Sequence, residues 1–277
     1  MAELITCTHP TLAPLSAEIT SLGFGAVTLH EFLDDLLEKI PGWWRNDFFP
    51  APELLDTLLD LTDFEIAAPD GEIVAASGSK PRRRIPAAGV TIKMPWDLLA
   101  AAELYLPSLR ENHLDGTVHP SAVLDGVVTL GQNSRILPGV YIEGNCIIGK
   151  NCKIGPNCYL RGNTIIGDNC HIGQAVEIKN SIINSRTNVP HLSYVGDSVI
   201  GSGVNLGAGT IISNFRHDGK NHRSQICGQL VDTGRRKFGA IIGDGVHTGI
   251  NTSIYPGRKL FPGTSTLPGA IIKYELQ

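Results

Sequence analysis

The sequence predicts a mostly β protein, a parallel β-helix written as a hexapeptide repeat and preceded by a small α/β region. Three observations carry this. Aliphatic residues occupy every sixth position without a miss: Val118, Leu124, Leu130, Ile136, Ile142, Ile148, Ile154, Leu160, Ile166, Ile172 and Ile178. Gly follows five of them, at 131, 149, 155, 167 and 173. The fourth residue after the aliphatic is mostly small or β-branched, as at Ala122, Val128, Ser134, Val140 and Thr164. So short a period allows one strand and one corner per unit, with the aliphatic pointing inward and Gly permitting the corner. The 31 Gly residues and an aromatic content of only 6% suit repeated turns better than a helical bundle.

Residues 1–115 form the α/β region, and residues 116–277 the repeat. Within the first, Leu29, Leu33, Leu36, Leu37 and Ile40 follow a helical period that stops at Pro41-Gly42. A second helix begins near Pro52, with Leu54, Leu55, Leu58 and Leu59 inward. Phe64 to Ser77 reads as a hairpin around Pro69-Asp70-Gly71. Lys80 to Arg84 reads as a solvated basic linker, and a third helix is expected from Pro95 to about Arg110.

The repeat resumes at Ile200, Leu206 and Ile212, and again from Ile242 through Ile254 and Leu260 to Ile272. Between Ile178 and Ile200 lie 22 positions, four more than three repeats, which predicts a short loop bulging out at or just before His191. From Asn214 to Gly239 the chain is polar and basic without inward rhythm, which predicts a long excursion from the coil.

Charge is divided unevenly. Residues 1–115 carry 8 Lys and Arg against 18 Asp and Glu, whereas residues 116–277 carry 15 against 9. A basic repeat suits an anionic small molecule; neither nucleic acid nor membrane is expected as a partner. The apolar runs are short and no secretory signal is visible, so a cytoplasmic location is expected. Four of the six Cys (146, 152, 158 and 170) occupy the small-residue slot and read as packing thiols.

Repeats of the left-handed parallel β-helix type place three hexapeptides on each coil, so residues 18 apart stack. This gives a column Asp125, Glu143, Arg161, Lys179. Strands are about 4.8 Å apart, so Arg161 over Lys179 is a like-charge pair that favours an anion such as phosphate. The alternative is that Glu143 absorbs Arg161 in a surface ladder. His191 stands out after Pro190, close to Tyr194. His217 and His222 have a spacing that two zinc ligands use, with no third ligand placed by the rhythm.

The hexapeptide array, together with His191-Leu-Ser-Tyr-Val-Gly-Asp and the following Ile-Gly-x-x-Val-Asn-Leu-Gly-Ala-Gly-Thr, resembles a known group. It is similar to the C-terminal acetyltransferase domain of bifunctional sugar-1-phosphate nucleotidyltransferase/glucosamine-1-phosphate N-acetyltransferases. Asp232 to Ala240 gives it the archaeal character, and Pro95-Trp96-Asp97-Leu98-Leu99 resembles the end of the group's nucleotidyltransferase domain. The resemblance implies a homotrimer that binds acetyl-CoA and an amino-sugar phosphate between subunits. It implies His191 as general base, and Arg161, Lys179, Tyr194, Asn205 and Lys220 as ligands of the sugar phosphate. It places Ala208, Asn214, Ile250 and Pro268 by the cosubstrate, with Ile250 standing where bacterial members have Ser. No metal is required for such acetyl transfer. Residues 1–115 lack the group's Gly-x-Gly-Thr-Arg loop, so they read as a truncated or replaced nucleotidyltransferase domain, without nucleotidyltransferase activity.

The function expected is N-acetylation of an amino-sugar 1-phosphate, foremost glucosamine 1-phosphate, in the synthesis of UDP-N-acetylglucosamine-type precursors. Two alternatives stand beside it: a non-catalytic sugar-phosphate or nucleotide-sugar binding scaffold, and a γ-type carbonic anhydrase using His217 and His222. Arg235-Arg236-Lys237 is expected to meet the CoA phosphates.

Overall fold

The computed structural model describes residues 2–16 and 18–277. From His113 onward, each coil lays short strands parallel to those of the coil before it, and three sheets enclose a prism. An open face of eight strands includes Tyr159–Arg161, Glu177–Lys179 and Tyr194–Gly196. A covered face of eight includes Thr164–Ile166, Ile182–Ile183, Val199–Ile200 and Ala240–Ile242. A narrow face of five ends at Asn188–His191 and is prolonged by single bridges through Asn205, His247 and Ser265. Repeat residues from Leu130 to Ile178 are buried in one column-like core, so the six-residue rhythm is the packing pattern of the interior. The four Cys of the repeat are buried free thiols within the same core. Burial pushes Cys158 up to about 12, which keeps it protonated.

The expected loop at His191 does not exist. The inward residues continue as Ile183, Val189 and Val195, all fully buried, between Ile178 and Ile200. The 22 positions are four repeats shortened by one residue at two corners, not three repeats plus an insertion. At the same corner, Arg161-Gly162-Asn163-Thr164 is followed one coil later by the shorter Lys179-Asn180-Ser181, then by Gly196-Asp197-Ser198. Registers that advance by 18 up to Arg161↔Lys179 advance by 17 at Lys179↔Gly196. Asn180 (φ 48°) and Asp197 (φ 50°) take the left-handed conformation that Gly162 takes in the longer corner. Asn and Asp tolerate it better than other side chains with a Cβ.

The excursion is as expected. It leaves from that corner after Ser213, forms an antiparallel hairpin of Arg223–Ile226 with Gln229–Asp232, and returns at Gly239.

The first 108 residues pack as a layer on the covered face. Three helices, α1 (Leu29–Leu36), α2 (Pro52–Leu58) and α3 (Asp97–Tyr105), accompany a five-stranded sheet. In sheet order its strands are Ala2–Ile5, Gly42–Arg45, Ile73–Ser77, Phe64–Ala67 and Arg83–Pro86. A capping box between Thr28 and Glu31 starts α1. The α-helix α3 stops at Tyr105, short of the expected Arg110, because Pro107 has no N–H to give and in a continued α-helix its ring would clash with the carbonyl of Glu103. The expected Phe64–Ser77 hairpin is present, whereas the basic linker is only partly one: Arg83 and Arg84 enter the edge strand.

What joins the layer to the β-helix is a second apolar column. Ile165, Ile182, Val199 and Ile241 each precede an inward aliphatic and therefore point outward, yet all are buried. They share one core with Leu33, Trp44, Phe49, Leu98 and Leu99. The covered face is thus apolar on both sides, which explains the doubled aliphatics at 165–166, 182–183, 199–200 and 241–242.

Truncating an inward residue removes transfer free energy and leaves a cavity. Ile183→Ala should cost about 2–5 kcal/mol, read as a lowered urea midpoint. The exposed control Leu59→Ala should stay within about 0.5 kcal/mol of the parent.

Candidate functional site

Two vertical ladders bound the open face. The first runs up the corner between the narrow and open faces. Backbone bonds link Leu192 N–H to Gln174 O (3.0 Å), Gly209 N–H to His191 O (3.1 Å), Asn251 N–H to Ala208 O (2.8 Å) and Gly269 N–H to Ile250 O (2.8 Å). Gln174, His191, Ala208, Ile250 and Pro268 therefore stack as one column, and four of the sequence-predicted site residues belong to it. The residue following each is held at positive φ, including Leu192 at 52° and Asn251 at 56°. For Leu this is a strained conformation, held here by the coils above and below, and it fixes the direction in which His191 leaves the corner.

The His191 ring is exposed and has no hydrogen-bond partner among the described residues; Ser193 Oγ bonds its carbonyl instead (2.8 Å). His171, one coil below, is held under the usual imidazole range by burial, then by the neighbouring charges of Lys153 and His191. The Ala208 and Ile250 N–H groups likewise have no partner among the described residues, which leaves two backbone donors free in the column.

The second ladder is the predicted charge column, Asp125, Glu143, Arg161, Lys179, in register from strand to strand. Arg161 is not absorbed by Glu143, which accepts from the Tyr159 hydroxyl. It instead pairs with Glu177 on its own face (2.6 and 2.7 Å). Lys179 donates to both oxygens of Asp197 (2.8 and 2.9 Å). Asp197 also receives Asn214 Nδ2, which donates in turn to Tyr194 OH (2.8 Å). Burial, and next the Asp197 and Glu177 charges, raise the Tyr194 hydroxyl above the ordinary phenol range, so it stays protonated.

The structure thus gathers Arg161, Lys179, Tyr194 and Asn214 on the open face, and His191, Ala208, Ile250 and Pro268 at its edge. Asn214 is a buried node at the root of the excursion, with its carbonyl accepting from Phe238 N–H (3.0 Å) and bonded to His222 Nε2 (2.9 Å). Asn205 lies elsewhere, on the narrow face between Asn188 and His247. Lys220 is in the excursion, lining a cavity of about 660 Å³ with Arg216, His222, Arg223, Tyr255 and Arg258. Tyr255 is three strands beyond Lys179 on the open face, a rise of about 14 Å at the strand spacing. Within one chain, Lys220 is not part of the Arg161–Lys179 cluster.

Two features of the excursion take partners within the chain. Arg235, Arg236 and Lys237 are turned to partners within the chain: Glu103, the Gly219 carbonyl (3.0 Å) and the Phe215 ring (4.0 Å to its centroid). They pin the excursion, and Arg236 and Lys237 remain exposed. His222 is buried and engaged with Asn214 while His217 is exposed, and among the described residues no three His, Cys, Asp or Glu side chains are placed to hold a metal ion.

Residues that the sequence reading passed over, Asn180, Asp197 and Glu103, tie this cluster together. Five-residue steps from Ile178 to Ile183 and from Val195 to Ile200 marked the corner that holds the first two.

Residues 142–260 match the family model of the GMPPB C-terminal domain. A bifunctional sugar-1-phosphate nucleotidylyltransferase/acetyltransferase from Sulfurisphaera tokodaii is 42% identical over 185 residues, 67% of this chain and 46% of that protein. The repeat region resembles these bifunctional sugar-1-phosphate enzymes. The bifunctional protein GlmU of Methanococcus maripaludis (strain C7) is 52% identical over 176 residues, 64% of this chain and 42% of that protein. That of Methanococcus aeolicus is 43% identical over 179 residues, covering 65% and 43%. The chain spans less than half the length of each of these relatives. Likeness to solved structures is slighter: a UDP-N-acetylglucosamine acyltransferase from Francisella novicida shares 17% identity over 58% of this chain and 62% of that one, with a TM-score of 0.30. No helix among the described residues is long and apolar enough to cross a membrane.

Burial, chiefly, holds His222 below the ordinary value of 6.5, and His171 shifts the same way. The unfolded chain accepts protons that the folded chain refuses, so their contribution is complete above pH 6.5 and is lost as pH falls toward the folded values. The drop in Tm between pH 7 and pH 5 should be smaller in the His171→Gln/His222→Gln double variant.

Proposed function

We propose that the chain is an acetyl-CoA-dependent N-acetyltransferase acting on an amino-sugar 1-phosphate, with glucosamine 1-phosphate the first acceptor to test. The observation that supports this most is the pairing of the two ladders. The His191–Ala208–Ile250–Pro268 column runs beside the Arg161–Lys179–Tyr194 surface, with one face of strands between them. The acetyltransferase relatives of the repeat region make this chemistry the natural one.

In the proposed reaction the neutral 2-amino nitrogen attacks the thioester carbonyl. His191 takes the proton that the nitrogen loses, a role suited to an imidazole near neutral pH. Charge develops on the carbonyl oxygen, where the free Ala208 N–H can donate. The C–S bond then breaks and the CoA thiolate leaves, taking up the proton. Arg161 and Lys179 hold the remote phosphate, which competes with Glu177 for the guanidinium fork; this binding energy positions the amine. The transfer needs no metal, because the proton and the oxyanion are both handled by groups of the chain.

The same reading takes the working form to be a homotrimer. Exposed apolar side chains recur along one ladder of the open face, at Val123, Tyr141, Ile211 and Ile271 with Glu177 and Ser253 among them, and Leu192, Ile250 and Leu267 stand exposed at the adjoining corner. Exposed apolar side chains gathered along one edge in this way favour a covering surface. A neighbouring copy would also bring its own Lys220 or Asn205 toward the cluster from which these two lie apart. The layer of residues 1–108 has a structural part in this reading and no nucleotidyl transfer.

A thiol-release assay with acetyl-CoA, run against amino sugars and their 1-phosphates, tests the proposal. Release is expected with glucosamine 1-phosphate, and binding of both ligands without release would favour the scaffold reading. His191→Ala should lower kcat by about 10²–10⁴-fold with Tm unchanged; near-parental turnover would remove His191 from its role.

A further inference from the structure

The α-helix α3 reaches the candidate site from outside the β-helix. Trp96 and Glu103 are seven positions apart, two turns of helix, and so share one side. Trp96 packs edge-on against Phe238 at the end of the excursion, with ring centroids 5.7 Å apart. Glu103 takes Arg235 in a two-pronged ion pair, one prong at 3.1 Å. Its Oε1 also accepts from Asn180 Nδ2 (2.7 Å), and the same Nδ2 donates to Asp197 Oδ1 (3.1 Å).

The contacts form an unbroken chain. Glu103 orients Asn180; Asn180 donates to one oxygen of Asp197; Asp197 holds the Lys179 ammonium with both oxygens and Asn214 with one; Asn214 holds the Tyr194 hydroxyl. Asn180 and Asp197 are the left-handed residues of the two shortened corners, so their side chains leave a backbone that has no slack. The Arg235 side chain is 17% exposed and its Nε has no hydrogen-bond partner, which makes Glu103 the group that neutralises it.

We propose that Glu103 is a positioning residue for the acceptor site, setting Lys179 and Tyr194 through Asn180 and Asp197, so that the N-terminal layer governs affinity for the sugar phosphate. This rests on the acetyltransferase reading for its substrate, and on the hydrogen-bond chain alone for its mechanics. Loss of the carboxylate frees the Asn180 amide, leaves Arg235 unneutralised and lets Asp197 turn away from Lys179. The His191–Ala208–Ile250–Pro268 column is outside this chain of bonds, and Asn214, the one expected cosubstrate contact inside it, is anchored separately through its carbonyl to Phe238 N–H and His222, so the effect on acetyl-CoA is the smaller.

The test compares Glu103→Ala, Glu103→Gln and Asn180→Ala with the parent full-length chain. In Glu103→Ala the KM for glucosamine 1-phosphate should rise about tenfold, equivalent to about 1.4 kcal/mol, while the KM for acetyl-CoA stays within twofold. Glu103→Gln, which keeps an oxygen for Asn180, should recover part of the loss. Glu103→Ala and Asn180→Ala should be non-additive when combined. Equal change in both KM values, or strict additivity, would overturn the proposal and leave Glu103 as a staple between layers. A reading independent of turnover is the rate of Lys179 modification by acetic anhydride, followed by mass spectrometry. It should change in Glu103→Ala and return toward the parent in Glu103→Gln. An unchanged rate overturns the inference even if the enzyme is active; a changed rate with no turnover in the parent upholds it and removes only the acetyltransferase reading.

Discussion

Everything in this molecule depends on parallel strand register. Because each strand hydrogen-bonds to the equivalent strand of the preceding coil, a residue's neighbours are set by its position in the turn and not by its distance along the chain. Inward aliphatics stack on aliphatics, corner residues on corner residues and charges on charges. The only freedom left is how many residues a corner spends. Where the corner after Lys179 and that after Gly196 each spend one fewer, every later residue keeps its face, yet the corner side chains are drawn over the open surface. The site cluster of Asn180, Asp197 and Asn214 occupies this one corner on three successive coils.

That constraint explains what the sequence made legible. The six-residue period revealed the β-helix, the inward set and the Arg161–Lys179 stack, because all three follow from periodicity alone. The same reading went astray between Ile178 and Ile200, where it treated a loss of two residues as a gain of four; Ile183, Val189 and Val195 look no different from loop aliphatics until their burial is known. Acidic partners were also beyond reach. Glu177 shares a strand with Lys179 but binds the Arg of the strand before, and Glu103 is 132 positions from Arg235. Contacts of that kind are fixed by how a helix docks on a sheet, and a local pattern carries no trace of them.

The candidate site is an arrangement of surfaces more than a cleft. One chain supplies a histidine with an unengaged ring, a cationic pair already matched by carboxylates and free backbone donors, spread over a face and a corner. Matched cations of this type are preorganised. They need not be collected when an anion arrives, although the anion must displace an acid.

The doubled aliphatics of the covered face have a consequence for the chain's modularity. A β-helix whose outer wall bears Ile165, Ile182, Val199 and Ile241 is not a cassette to be joined to any preceding domain. Its partner must present a matching greasy floor at the right height. Stripped of residues 1–108, the repeat would offer that wall to water as a sticky, strand-edged plank. Whatever chemistry a preceding domain carries or lacks, it must keep that apolar footing.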